Sequence, residues 1–96
     1  MISFTMYDIV LTSRYKKSLR KIEKSGRCRI SDIEKVVNVI ASGKKFGAKH
    51  QDHSLAGDMS EYRECHIKND LLLVYYLSSD KLILVLVDIG SHSDLF

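Results

Sequence analysis

Residues 62–89 read YRECHIKNDLLLVYYLSSDKLILVLVDI, and the way this stretch alternates decides the fold. From Tyr62 to Ile67, successive side chains fall on opposite faces. Tyr62, Glu64 and His66 share one face and Arg63, Cys65 and Ile67 the other, as in a half-buried strand. Leu71 to Leu77 and Leu82 to Ile89 are apolar runs joined by Ser78-Ser79-Asp80-Lys81, whose residues suit a hairpin turn. Three consecutive strands linked by short turns are predicted to pair antiparallel. The longest uninterrupted apolar runs have seven and six residues, far below the roughly 20 needed to cross a bilayer.

Upstream, the period changes. Met6 to Leu11 is a short apolar segment suited to a strand, and Thr12-Ser13 offers a helix N-cap. Tyr15, Leu19 and Ile22 recur at i, i+4 and i+7 until Gly26 ends the helix. Ser31-Asp-Ile-Glu34 reads as a capping box, with Ile33, Val36, Val37 and Ile40 forming a second apolar stripe up to Gly43. From Lys44 to Glu61 no period is sustained, which predicts a loop longer than the usual four to six residues or so. The order strand, two helices, three strands predicts an α+β two-layer domain spanning residues 1–96. Its four-stranded antiparallel sheet carries the helix hairpin on one face and leaves the other open for a ligand.

The composition agrees with a folded chain. With 45% hydrophobic and 28% charged residues and no proline, the 96-residue sequence lies outside the disordered and collagenous classes. Cys28 and Cys65 stand far apart without a Cys-x-x-Cys spacing, which argues for a reducing compartment rather than a disulfide framework. Asp8 interrupts the apolar N-terminus and the basic residues follow it, the wrong order for a secretory signal. A cytoplasmic location without membrane contact is expected.

Charge is segregated along the chain. Residues 1–50 carry a formal +8 and residues 51–96 a formal −5, and eight of the cations lie between Arg14 and Arg29 against the single acid Glu23. A polyanionic partner and a merely solvated face both account for this. All four histidines, His50, His53, His66 and His92, fall in the second half. Histidine is the side chain best suited to proton transfer near neutral pH, provided that several converge.

Three segments in order carry a resemblance: Asp52-His-Ser-Leu-Ala-Gly57, Tyr62-Arg-Glu-Cys-His-Ile-Lys-Asn-Asp-Leu-Leu-Leu-Val-Tyr75 and Gly90-Ser-His-Ser-Asp-Leu-Phe96. Together they closely resemble the YafQ branch of the RelE/ParE toxin superfamily. Its members are ribosome-dependent mRNA endonucleases, the toxins of type II toxin–antitoxin modules. The resemblance runs from Met6 onward. It implies a metal-independent site without a cofactor, built from His53, Glu64, His66, Asp70, His92 and Phe96. The ribose 2′-hydroxyl would attack the adjacent phosphate, leaving a cyclic phosphate and a free 5′-hydroxyl. Such a reaction needs a base, an acid for the leaving oxygen, and cations around the phosphorane. His92 is assigned as general acid and Asp70 with His66 as base or base-orienting pair. His53 positions the phosphate or shares the proton transfer, and Phe96 stacks on a base or wedges His92.

The resemblance also implies partners. Lys17, Arg20 and Lys21 of the first helix, with Lys44, Lys45 and Lys49 beside the loop, would hold ribosomal RNA. The sheet would hold the mRNA, and a cognate antitoxin would form a hetero-oligomer with the toxin. The sequence departs from the family where Asp88 replaces an arginine usual two residues before Gly-Ser-His, and where Ser54 and Asn69 replace prolines. Arg63 or Lys68 is expected to substitute as the phosphate-facing cation, with weaker activity. Two alternatives stay open. His50-x-x-His53 with His66 and His92 can make a zinc site of a hydrolase. The basic hairpin can also serve protein binding without catalysis, as in gyrase-directed toxins of the superfamily.

Overall fold

Thr12 decides where the first helix begins. Its Oγ1 accepts the Tyr15 backbone N–H at 3.0 Å, the N-cap arrangement that satisfies one orphan donor of the first turn. The same hydroxyl donates to the Val87 carbonyl at 2.7 Å, which ties the helix start to the last strand. The computed structural model describes residues 7–26, 28–43, 53–54, 62–68, 70–78 and 81–95, with the backbone alone at 53–54. Along it run β1 (Asp8–Leu11), α1 (Ser13–Ser25), α2 (Ile30–Ala41), β2 (His53–Ser54), β3 (Arg63–Lys68), β4 (Leu71–Ser78), β5 (Ile83–Gly90) and α3 (His92–Leu95).

Helix α1 buries Tyr15 and Ile22, with Leu19 packed against the core between them, and stops at Gly26 in the left-handed conformation at φ 69°. Helix α2 begins two residues earlier than the Ser31 capping box predicts. Its N-cap is Arg29, whose carbonyl already accepts from Asp32 N at 3.0 Å, and no side chain caps the end. Ser31 therefore sits inside the helix, where its hydroxyl is not placed to cap it. The apolar stripe itself is as expected: Ile33, Val36, Val37 and Ile40 are all buried.

The α+β two-layer architecture holds, with a mixed rather than purely antiparallel sheet of order β1-β5-β4-β3-β2. Strands β3, β4 and β5 form the antiparallel meander, whereas β1 pairs parallel to β5 with Asp8 opposite Ile83 and Leu11 opposite Leu86. No short turn joins β1 to β5, so the rule that predicts antiparallel neighbours does not govern that pair. The two-residue β2 and four-residue α3 are additions that no periodicity announced.

A bulge sets the phase of β5. Val74 faces Asp88 and Tyr75 faces Leu86, which leaves Val87 as the extra residue. Leu84, Leu86 and Ile89 consequently all reach the helix-side core, although strict alternation would send Ile89 to the other face. That core also takes Cys65, Leu71, Leu73 and Tyr75 from the sheet. Leu72 and Val74 on the opposite face are buried as well, so that face is not bare as expected. Among the described residues, a depression of about 260 Å³ on it is lined by Thr12, Tyr62, Tyr76, Val85 and Val87, where the two tyrosine rings meet edge to face at 6.1 Å. Among the described residues no helix is long and apolar enough to cross a membrane.

Candidate functional site

Strand register assembles the expected site residues. One row across the sheet runs His53, Glu64, Val74, Asp88, and a second, two residues along β3, runs His66, Leu72, Gly90. Neighbouring strands lie about 4.8 Å apart, so the His66 and Gly90 backbones stand roughly 10 Å from each other. Asp70 occupies the tight turn between β3 and β4, closed by the Lys68–Leu71 pair, at the same end of the sheet. His92 follows Gly90 by two residues. Thus His66, Asp70 and His92 are gathered at one end, and His53 is joined to them through its backbone pairing with Glu64.

Their settings differ. Glu64 is buried, His66 half-buried, and Asp70, His92 and Lys68 exposed. Arg63 stands on the row of Tyr75 and Leu86, whose side chains enter the helix-side core, so the pleat separates it from Glu64 and His66. Lys17, Arg20 and Lys21 are exposed on α1. Lys44, Lys45, Lys49, His50 and Phe96 lie outside the described residues.

His92 is held by a local device. Ser91 Oγ accepts from Asp94 N at 3.2 Å, while Asp94 Oδ2 accepts from Ser91 N at 3.1 Å, a reciprocal capping box that makes α3 a helix despite its four residues. Gly90 belongs to the same unit. A Cβ there would stand 3.1 Å from Asp94 Cβ and 3.3 Å from its Oδ2, which explains why the segment reads Gly-Ser-His. The Ser91-x-x-Asp94 spacing was a readable signal for this cap.

Asp88, the departure from the resemblance, is fully engaged. Its Oδ1 accepts from Ser18 Oγ at 2.6 Å and from Ile89 N at 2.8 Å, and its Oδ2 lies 2.8 Å from Arg14 Nε. The carboxylate thus reaches α1, and three donors compensate a group that is only 7% exposed. Arg14 and Ser18 have no local motif and are invisible without the tertiary contact. Beside them a cleft of about 600 Å³ opens between α1 and the β5–α3 junction, with Lys17 and Lys21 on its wall. Among the described residues no group of three or more histidine, cysteine or carboxylate side chains is arranged to hold a metal ion.

Comparison with known proteins agrees with this architecture. A toxin from Helicobacter pylori solved with bound metal is 38% identical over 95% of this chain and 100% of its own, with a TM-score of 0.88. A copper-bound mutant toxin from the same organism is 33% identical over the same shares, also at 0.88. The Escherichia coli YafQ in complex with DinJ, at 24% identity, shares the fold with a TM-score of 0.84 over 95% of this chain and 98% of that one. A YafQ toxin of Haemophilus influenzae is 48% identical over 33 residues, so the match spans about a third of that relative's length (32%) and 33% of this chain. The family described as the bacterial toxin of type II toxin–antitoxin systems, YafQ, matches residues 7–96, and the chain belongs to it.

Proposed function

We propose that the chain is a ribosome-dependent mRNA endoribonuclease that arrests translation by cutting mRNA in the ribosomal A site. The observation that carries this reading is the gathering of His66, Asp70 and His92 at one end of the sheet, beside a helix whose outer face is cationic. An exposed imidazole on a rigid capped turn suits proton donation to the leaving 5′-oxygen, so His92 is the general acid. Asp70 and His66 take the 2′-proton, directly or with the carboxylate orienting the imidazole. His53, one row away, steadies the phosphate. Glu64 and Phe96 support this group, and Lys68 is a further phosphate contact.

The cations Lys17, Arg20, Lys21 and Lys49 hold RNA through its backbone, an affinity that falls with salt. The toxin acts in the cytoplasm and is held inactive by a cognate antitoxin, as the Escherichia coli relative solved in complex with DinJ suggests. The test is primer extension on programmed ribosomes. The purified chain should cut within the A-site codon and leave a 2′,3′-cyclic phosphate and a 5′-hydroxyl. Inhibition of gyrase supercoiling with intact mRNA would favour the protein-binding alternative instead.

A second reading follows from the metal-bound and copper-bound Helicobacter pylori relatives. On it, the histidines of this chain hold a metal ion, which would act as a Lewis acid or activate water. The two readings part on the effect of chelation.

A further inference from the structure

We propose that the cleft between α1 and the β5–α3 junction is a phosphate subsite for the backbone of the mRNA, with Arg14 held at its mouth by Asp88. The inference rests on the nuclease reading above and adds a subsite and a positioning residue to it. One wall is a single strip of α1. Arg14, Lys17, Ser18 and Lys21 recur at i, i+3, i+4 and i+7, so they point the same way over about 10 Å of helix. The opposite wall is β5 and α3, where Asp88, Gly90 and Asp94 line the space. Its volume of about 600 Å³ accommodates a sugar–phosphate unit, and it abuts the short helix whose first residue is His92.

The charge balance favours an anion. Three cations face two carboxylates, and each carboxylate is already turned to protein donors: Asp88 to Ser18, Ile89 N and Arg14, Asp94 to Ser91 N. Arg14 meets Asp88 through Nε, whereas a guanidinium carries five N–H groups in a fixed fork. Its side chain is 70% exposed against 10% for that of Asp88, so the carboxylate anchors one edge and the remaining donors can face an entering phosphate. The bonds from Ser18 Oγ and Ile89 N fix the anchor itself. Arg14 thereby delivers a cation from α1 to the strand position where Asp88 stands.

The experiment uses the full chain and a five-nucleotide 2′-O-methyl oligoribonucleotide, which keeps its phosphates but lacks the attacking hydroxyl. Fluorescence anisotropy is measured at several salt concentrations. Arg14→Gln and Lys21→Gln should each weaken binding, by roughly three- to tenfold, and lower the log–log salt slope by about 0.7. Lys35→Gln, on the exposed surface of α2, should change neither affinity nor slope. Asp88→Asn separates positioning from charge. It removes a negative charge, so a purely electrostatic cleft would bind more tightly, whereas loss of the anchor should weaken binding several-fold at an unchanged slope. Ser18→Ala should weaken binding in the same direction and serves if Asp88→Asn does not fold. Parental affinity and slope in Arg14→Gln and Lys21→Gln would overturn the subsite, as would an effect confined to binding of an acidic antitoxin segment. Tighter binding in Asp88→Asn would overturn the positioning role. The expected binding pattern in a chain that leaves ribosome-bound mRNA intact would sink the nuclease reading alone.

Discussion

Gly90 and Asp94 are packed so closely that a single methyl group at Gly90 would meet Asp94 Cβ at 3.1 Å. That contact joins the end of β5 to the capping box of α3 and so sets the orientation of the turn that starts with His92. Gly90→Ala should force Asp94 outward by a few tenths of an ångström. The expected cost is about 1 kcal/mol in urea unfolding, together with a loss of tenfold or more in mRNA cleavage. Asp94→Ala should lose the cap, about 1 kcal/mol, with a similar fall in activity. Unchanged cleavage in both variants would show that the cap does not orient His92.

His92→Ala and Asp70→Ala should abolish cleavage of ribosome-bound mRNA and growth arrest, lowering the single-turnover rate by 100-fold or more, about the value of positioned acid–base catalysis. Both side chains are exposed, so the urea midpoint and antitoxin binding should hardly move. A His92 variant that cuts at the parental rate would remove that residue from the role of acid.

Metal removal tests the two chemical readings against each other. Acid–base cleavage by imidazole and carboxylate should survive a zinc- and copper-selective chelator that leaves ribosomal magnesium in place. Stoichiometric zinc or copper in the purified protein, combined with chelator-sensitive cutting restored by the metal, would decide for the metal site.

Tyr15 predicts the alkaline limit of the fold. Its phenol is buried beneath α1, and desolvation, aided by the charge of Glu34, raises its pKa from 10.0 to about 12. Between those values the unfolded chain loses the proton and the folded chain keeps it, so stability should fall as pH rises from about 10 to about 12. The loss should approach roughly 2 kcal/mol. Tyr15→Phe should flatten this part of the pH profile of urea unfolding; an equally steep profile would assign the alkaline loss to other groups.

Both helices and the three-strand meander were legible in the sequence because their signals are local. The period of Tyr15, Leu19 and Ile22, the hydroxyl of Thr12 and the left-handed Gly26 act within one or two turns. Alternation from Tyr62 to Ile67 put Cys65 and His66 on opposite faces before any pairing was known, and packing made the Cys65 face the inner one. The resemblance of three separate segments named the residues of the candidate site, and the Ser91–Asp94 cap was written within four positions. Tertiary structure alone decided the parallel pairing of β1 with β5 and the extra residue at Val87. It also brought Arg14 and Ser18 to Asp88, a bond that spans 70 positions in the case of Ser18. Such contacts have no short-range signature, since any exposed arginine on a basic helix reads alike until the strand beside it is known. Local propensity thus determined which elements form. Packing against partners distant in sequence determined which of the many charges on α1 meets the strand that leads to His92.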